Sequence, residues 1–257
     1  MTPLSRGIIS SGKLDAGGGG ILATNTSLFN GSNHSFSTPD NSAFTVSSFT
    51  LEVWQKTASS SLQTVVRQRP LGSVGAGIPG ISLELISNLI STSTFVEDGA
   101  GNFVRLDVNQ VTITSGVWYQ LVMTFESNTL KIYKDGSDQS VTTSSSGTVG
   151  TIDSTATFYT GQIEAARHFN GQLGFVRFWK NRVLTSGEVT TLYNGGNVLA
   201  ESLFAANSLD TDLVYAPRLA NWSGTAGDEL VDQSSSGLVT TNNNSVTFTG
   251  TDLDVET

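Results

Sequence analysis

The sequence predicts an all-β sandwich carrying one short helix, and three observations lead there. From Ser27 onward, short runs rich in β-branched and aromatic residues alternate with turn clusters, the pattern of a sandwich or barrel. Within the runs, apolar residues recur with period two, which sends them to one face of a sheet. Only one segment combines helical spacing with start and stop signals.

Along the chain, residues 1–26 read as an N-terminal arm, because Gly17 to Gly20 form a hinge too flexible to pack as a regular element. In residues 102–109, Val104, Leu106 and Val108 face one way while Phe103, Arg105 and Asp107 face the other. In residues 118–125, Tyr119, Leu121, Met123 and Phe125 share a face. Asp135-Gly136 then supplies a hairpin turn, where glycine readily takes positive φ. Thr185-Ser186-Gly187-Glu188 is a capping box, flanked by Leu184 and Val189 as a hydrophobic staple. Val189, Leu192 and Tyr193 follow at helical spacing, and Gly195-Gly196 ends the helix after about two to three turns. Beyond Asn197 the pattern loosens. Residues 213–219 and 245–249 read as isolated strands around a Gly/Ser/Asp-rich stretch near residues 223–237.

A chain of 257 residues suits one main all-β domain and can bury a sizeable core without a disulfide or metal. Cysteine is absent, which removes thiol catalysis, zinc-thiolate sites and a disulfide scaffold together. Thirteen basic residues stand against 22 acidic ones, a net charge of −9 with no Lys/Arg run, so no nucleic-acid partner is expected. Only 14% of residues are charged, well below the roughly 25% usual in soluble domains. Ser, Thr, Asn and Gly fill the polar positions instead. Two readings of that surface stand open: an extracellular-style β-protein, or a subunit largely covered by neighbours. No run approaches the ~20 apolar residues of a membrane span. Met1 to Gly7 lacks a charged region followed by an apolar one, so no secretory leader is read there.

Four blocks, in order, resemble the laminin G-like jelly-roll family of the concanavalin A-like superfamily. Ser27-Leu28-Phe29-Asn30-Gly31, then Phe36-Ser37 and Phe49-Thr50-Leu51-Glu52-Val53-Trp54, is similar to the opening "FDG … FTLEAW" strands. Gly116 to Phe125 is the second block, and Leu130-Lys131-Ile132-Tyr133-Lys134-Asp135-Gly136 resembles the "LKLYVNG" hairpin. Phe169 to Trp179, with Asn181 to Leu184 and the capped helix to Asn194, resembles "FxGxIDEVRIYNRALSxxEIxxLY". The resemblance covers residues 27–197 and implies a concanavalin A-like jelly-roll sandwich, leaving 198–257 as an extension expected to dock on the sandwich or a neighbouring subunit. Asn30 and Gly174 stand where the family has aspartates, so carboxylates that support calcium in some relatives are missing there. Asp40 and Asn41 could still donate oxygens to calcium, or simply form a turn; no other cofactor is implied. The tail, with Asp212 to Tyr215 and Asn242 to Val246, looks like the lead-in to further jelly-roll modules in phage and bacterial surface proteins.

Glucanases share this fold, so a catalytic carboxylate pair is the first thing to seek. No acid-x-acid motif lies in the sandwich strands. Asp252-Leu253-Asp254 has the spacing but sits at the terminus, and Glu97-Asp98 before Gly99 reads as a turn. His34 and His168 are the only histidines; no G-x-S-x-G elbow accompanies them, and His168 reads as a hydrogen-bonded edge residue. Gly17 to Gly20 lacks the Gly-Lys-Ser/Thr ending of a phosphate loop. Trp54, Trp118 and Trp179 fall inside the family blocks and read as core anchors. Trp222 lies outside them among polar residues, so it is the first candidate for stacking on a glycan, with docking on the body or a partner as the alternative. Asn25, Asn30, Asn33 and Asn221 head N-x-Ser/Thr sequons, which count only in a eukaryotic secretory pathway.

The expectation is therefore a non-enzymatic virion accessory protein, such as a capsid decoration, head fibre or tail component. It would be made in the host cytoplasm, dock on other virion proteins or copies of itself, and weakly bind cell-surface glycans, with no nucleic acid and no membrane as partner. A bacterial surface adhesin or carbohydrate-binding module is the first alternative, and a glycoside hydrolase or lyase the second.

Overall fold

The computed structural model describes residues 21–70, 74–91, 93–107, 110–162, 167–217, 229–230 and 232–256. In chain order the strands are β1 (Ile21–Asn30), β2 (Ser35–Thr38), β3 (Phe49–Thr57), β4 (Gln63–Gln68), β5 (Gly80–Ile86), β6 (Leu89–Ile90), β7 (Phe95–Glu97), β8 (Phe103–Leu106), β9 (Tyr119–Glu126) and β10 (Thr129–Lys134). After them come β11 (Ser137–Asp138), β12 (Thr143–Ser146), β13 (Phe158–Thr160), β14 (Asn170–Lys180), helix α1 (Ser186–Tyr193), β15 (Val198–Leu199), β16 (Leu213–Tyr215), β17 (Glu229–Leu230), β18 (Thr240–Asn243) and β19 (Thr247–Glu256). They form two sheets. Sheet A runs β11-β10-β9-β3-β14-β1-β19-β15, with β16 on β14; sheet B runs β12-β8-β7-β5-β4-β13-β2-β18-β17, with β6 on β5. The chain passes repeatedly from one sheet to the other, and the result is a concanavalin A-like jelly-roll sandwich.

Period-two alternation decides which side chains meet between the sheets. Leu121, Met123 and Phe125 on β9, Val104 and Leu106 on β8, and Leu51 and Val53 on β3 all point inward and are buried. Aromatic rings dominate one end of this core. Phe44 stacks on Phe158 at 4.6 Å and meets Phe178 and Tyr215 edge-on at 5.7 and 5.4 Å. Such pairs contribute about 0.5–1.5 kcal/mol each beyond the area they bury. Val108 of the expected alternation lies outside the described residues.

A third layer covers part of the outer face of sheet A. Thr185 caps α1 through its side chain, and the reciprocal Glu188 bond completes the capping box. Leu184, Val189 and Leu192 then bury against Val122, Tyr133 and Trp179 of the sheet, together with Leu199, Phe204 and Leu209 from the following segment. The helix stops one residue earlier than Gly195: Asn194 itself takes the left-handed conformation, φ 50° and ψ 42°. A short polar side chain tolerates that region better than most.

The first strand starts at Ile21, six residues before the sequence pattern becomes readable, and it pairs antiparallel with β19. β19 in turn runs from Thr247 to Glu256, well beyond the expected 245–249. Each strand satisfies the ladder of the other, so neither needs a strong apolar alternation to form. In sheet B, β18 pairs with β2, and the Tyr215 hydroxyl meets Thr38 and Thr240 at 2.9 and 3.0 Å in a buried triangle. Burial pushes the Tyr215 phenol up to about 12, so it stays protonated there.

Asp98 closes the turn between β7 and β8. Its carboxylate accepts from the backbone N–H groups of Ala100, Asn102 and Gly150 at 2.9, 3.0 and 2.8 Å, and from the Asn102 amide at 3.0 Å. Burial pushes this carboxyl up, but the Gly150 and Asn102 bonds, with that from Ala100, outweigh burial and hold it below the ordinary carboxylate value. A depressed folded-state pKa contributes stability above the unfolded value that is lost as pH falls through the folded one. Thermal melts of the wild type should therefore fall off below about pH 4. Asp98→Asn should melt lower at neutral pH and show a shallower acid decline; an unchanged acid slope would remove Asp98 from this role.

Candidate functional site

The outer face of sheet B presents a continuous register row: Thr241, Ser37, Tyr159, Arg67, Ser82, Phe95, Arg105 and Ser144 are successive cross-strand partners. At one side of the row Tyr159, Ser37, Thr241 and Asn243 are half-buried, and the Asn243 amide donates to Ser35 and Ser37 at 3.3 and 2.9 Å. An aromatic ring among hydroxyls and amides suits a ligand that offers both an apolar ring face and hydroxyl groups.

The middle of the face is ionic and closed. Glu84 is fully buried and accepts from Arg67 at 2.8 Å, Ser82 at 2.8 Å and Arg167 at 2.7 Å. Arg67 also donates to the carbonyls of Arg69 and Pro70, so its fork is held on three sides. Glu97, also fully buried, accepts from Arg69 at 2.9 Å and from the N–H groups of Gly75, Gly77 and Ile78. Gly80 makes room for this: a Cβ there would come within 2.6 Å of the Arg69 Cβ. Burial pushes the Arg67 and Arg69 guanidinium groups down, with Glu84 and Glu97 pulling against it.

Both glutamates are committed to arginine, Glu84 to Arg67 and Arg167 and Glu97 to Arg69. A glycosidase pair works through carboxyls left free to give a proton or to attack. On sheet A, Glu52 is also buried and committed, accepting from Trp54, Gln120 and Arg177 at 2.8, 2.8 and 2.9 Å. Two open grooves at the sandwich rim share Asn128: one of about 510 Å³ along Ser47, Glu126 and Gly150, the other of about 250 Å³ reaching Lys131 and Asp138. Neither is lined by an aromatic ring, so the sheet B face is the better candidate.

Asn41 spends its side-chain oxygen capping a short turn, accepting from the Ala43 N–H at 2.9 Å, and Asp40 receives the Gln68 amide at 3.4 Å. Asn30 likewise accepts from the N–H groups of Ser32, Asn33 and His34. Among the described residues no cluster of three His, Cys, Asp or Glu gathers as metal ligands. Trp54 and Trp179 are buried as expected of core anchors, but Trp118 is only half-buried, with Lys56 over its ring at 6.0 Å. His168 departs from its expectation: its Nδ1 is buried without a hydrogen-bond partner. Trp222 lies outside the described residues. Arg67, Arg69, Glu84 and Arg167 carry no signal that the sequence reading used, and Glu97, read there as part of a turn, is instead the buried last residue of β7. The signal was present in Arg67-x-Arg69 and in Glu84 between Leu83 and Leu85, since period two turns a charge between core residues outward.

Glu84→Gln keeps the volume and removes the charge between two guanidinium groups. It should cost about 3–5 kcal/mol of unfolding free energy, read by urea denaturation; a loss below ~1 kcal/mol would mean the carboxylate is not holding Arg67 and Arg167.

Among the described residues no helix is long and apolar enough to cross a membrane. No curated protein sequence matches the chain. Among solved structures it is similar to a candidate carbohydrate-binding protein from Bacteroides ovatus, with 20% identity and a TM-score of 0.62 over 91% of this chain and 61% of that one. The chain thus spans about three fifths of that protein. Domain 4 of AbnA, a GH43 extracellular arabinanase from Geobacillus stearothermophilus solved with arabinotriose, matches at 19% identity and TM-score 0.48, over 65% of this chain and 76% of that one. Domains LG4-5 of the mouse laminin α1 chain match at 16% identity and TM-score 0.45, over 61% and 41%. The laminin G-type family model matches residues 30–190, well over half of the sequence. The chain belongs to the concanavalin A-like lectin/glucanases superfamily.

Proposed function

We propose that this protein is a non-catalytic binding module that holds saccharides on the outer face of sheet B. The observation that carries this reading is the half-buried Tyr159 ring set in a row with Ser37, Thr241 and the neighbouring Asn243. A sugar offers an apolar ring face to the aromatic ring and hydroxyls to the polar residues. The committed state of Glu52, Glu84 and Glu97 supports binding without turnover, because a carboxylate locked by arginine is a poor proton donor and a poor nucleophile. The fold shared with a candidate carbohydrate-binding protein points the same way. Trp222, outside the described residues, is a second ring to test.

The test is a binding panel run beside a turnover assay. Tyr159→Ala should weaken saccharide binding about tenfold, equivalent to about 1.4 kcal/mol, while wild type releases no sugar from the same panel. Tighter or equal binding by the variant, or steady product release by the wild type, contradicts the proposal.

A second reading makes the same module an accessory subunit of a virion or other assembly. One observation favours it: only 14% of residues are charged, so a neighbouring subunit can cover the surface with little charge desolvation. Native mass measurement at micromolar concentration should then show a defined oligomer. A monomer under those conditions would speak against self-assembly.

A further inference from the structure

The central triad of the sheet B face is not charge-balanced. Arg67 and Arg167 both bond the one carboxylate of Glu84, so two cations share a single anion. Arg67 is buried with its fork fully engaged, whereas the Arg167 side chain is 34% exposed and its bond to Glu84 is made through Nη1. Arg167 also holds an unfavourable backbone conformation, φ 54°, costly for a residue with a Cβ. The Thr64 N–H fixes it there by donating to the Arg167 carbonyl at 2.8 Å. The guanidinium so placed lies one carboxylate away from the strand position opposite Tyr159. Guanidinium groups bind carboxylate and sulfate oxygens in paired hydrogen bonds.

We propose that Arg167 makes this face selective for anionic saccharides, sugars that carry a carboxylate or a sulfate group. The proposal rests on the reading of the face as saccharide-binding and adds the ligand's charge to it. The anionic group meets the outer side of Arg167, while the sugar ring lies toward Tyr159 and its hydroxyls toward Ser37 and Thr241.

Isothermal titration with three probes tests it: oligogalacturonate for carboxylate, chondroitin sulfate oligosaccharide for sulfate, and maltooligosaccharide as the neutral control. Wild type should bind at least one anionic probe about tenfold more tightly than the neutral one, the scale of one charge-assisted hydrogen bond. Arg167→Gln should lose that preference, and Arg167→Lys should restore part of it. Lys131→Gln removes the same unit charge from sheet A and should change nothing. Should Arg167→Gln fail to fold, the salt dependence of wild-type binding decides: affinity for the anionic probe should fall between 50 and 200 mM salt, at about the Debye-screened range, and a flat response overturns the proposal. Neutral binding without anionic binding also overturns it and leaves the saccharide reading intact. No binding to any probe overturns both.

Discussion

Among the described residues three glutamates lie fully buried on the outward faces of the sheets, and each is closed by an arginine: Glu52 by Arg177, Glu84 by Arg67 and Arg167, Glu97 by Arg69. An isolated carboxylate at any of these positions would cost several kcal/mol in desolvation. Register supplies the remedy. Arg177 is the direct cross-strand partner of Glu52, and Arg67 lies one strand from Glu84 on the same face. Once these pairs form, the buried carboxylates of both outer faces are neutralised by arginine.

On sheet A little is left at the margin. Helix α1 and the segment after it seal Val122, Tyr133 and Trp179 under an apolar layer, and the Arg177 fork reaches across to the Leu199 carbonyl. On sheet B no helix among the described residues covers the face, and the ring of Tyr159 and the guanidinium of Arg167 remain within reach of solvent. The asymmetry between the two faces follows from where the one capped helix falls in the chain, directly after β14 of sheet A.

Much of the architecture was legible in the sequence. Alternation in residues 118–125 and the capping box at Thr185 both translate directly into burial and hydrogen bonds, because each depends on neighbours within a few positions. The outer strands β1 and β19 were harder to read. Their ladder joins Ile21 to Glu256 across the whole chain, and the residues between carry no apolar pattern that announces the pairing. The candidate site was the least legible part. Arg167 belongs to it only because its guanidinium donates a hydrogen bond to Glu84, 83 residues earlier, and no local motif encodes that meeting. Trp118 was read as core because the family block contains it, yet its position just before β9 leaves part of the ring exposed.

The central claim is that the sheet B face, and not the helix-covered face of sheet A, meets the ligand. Backbone amide shifts followed by NMR during saccharide titration test it most directly. The account predicts that Ser37, Tyr159, Arg167 and Thr241 move together with one saturation curve while α1 stays still. Shifts centred on α1 or on the Asn128 grooves, with the sheet B residues unmoved, would contradict it.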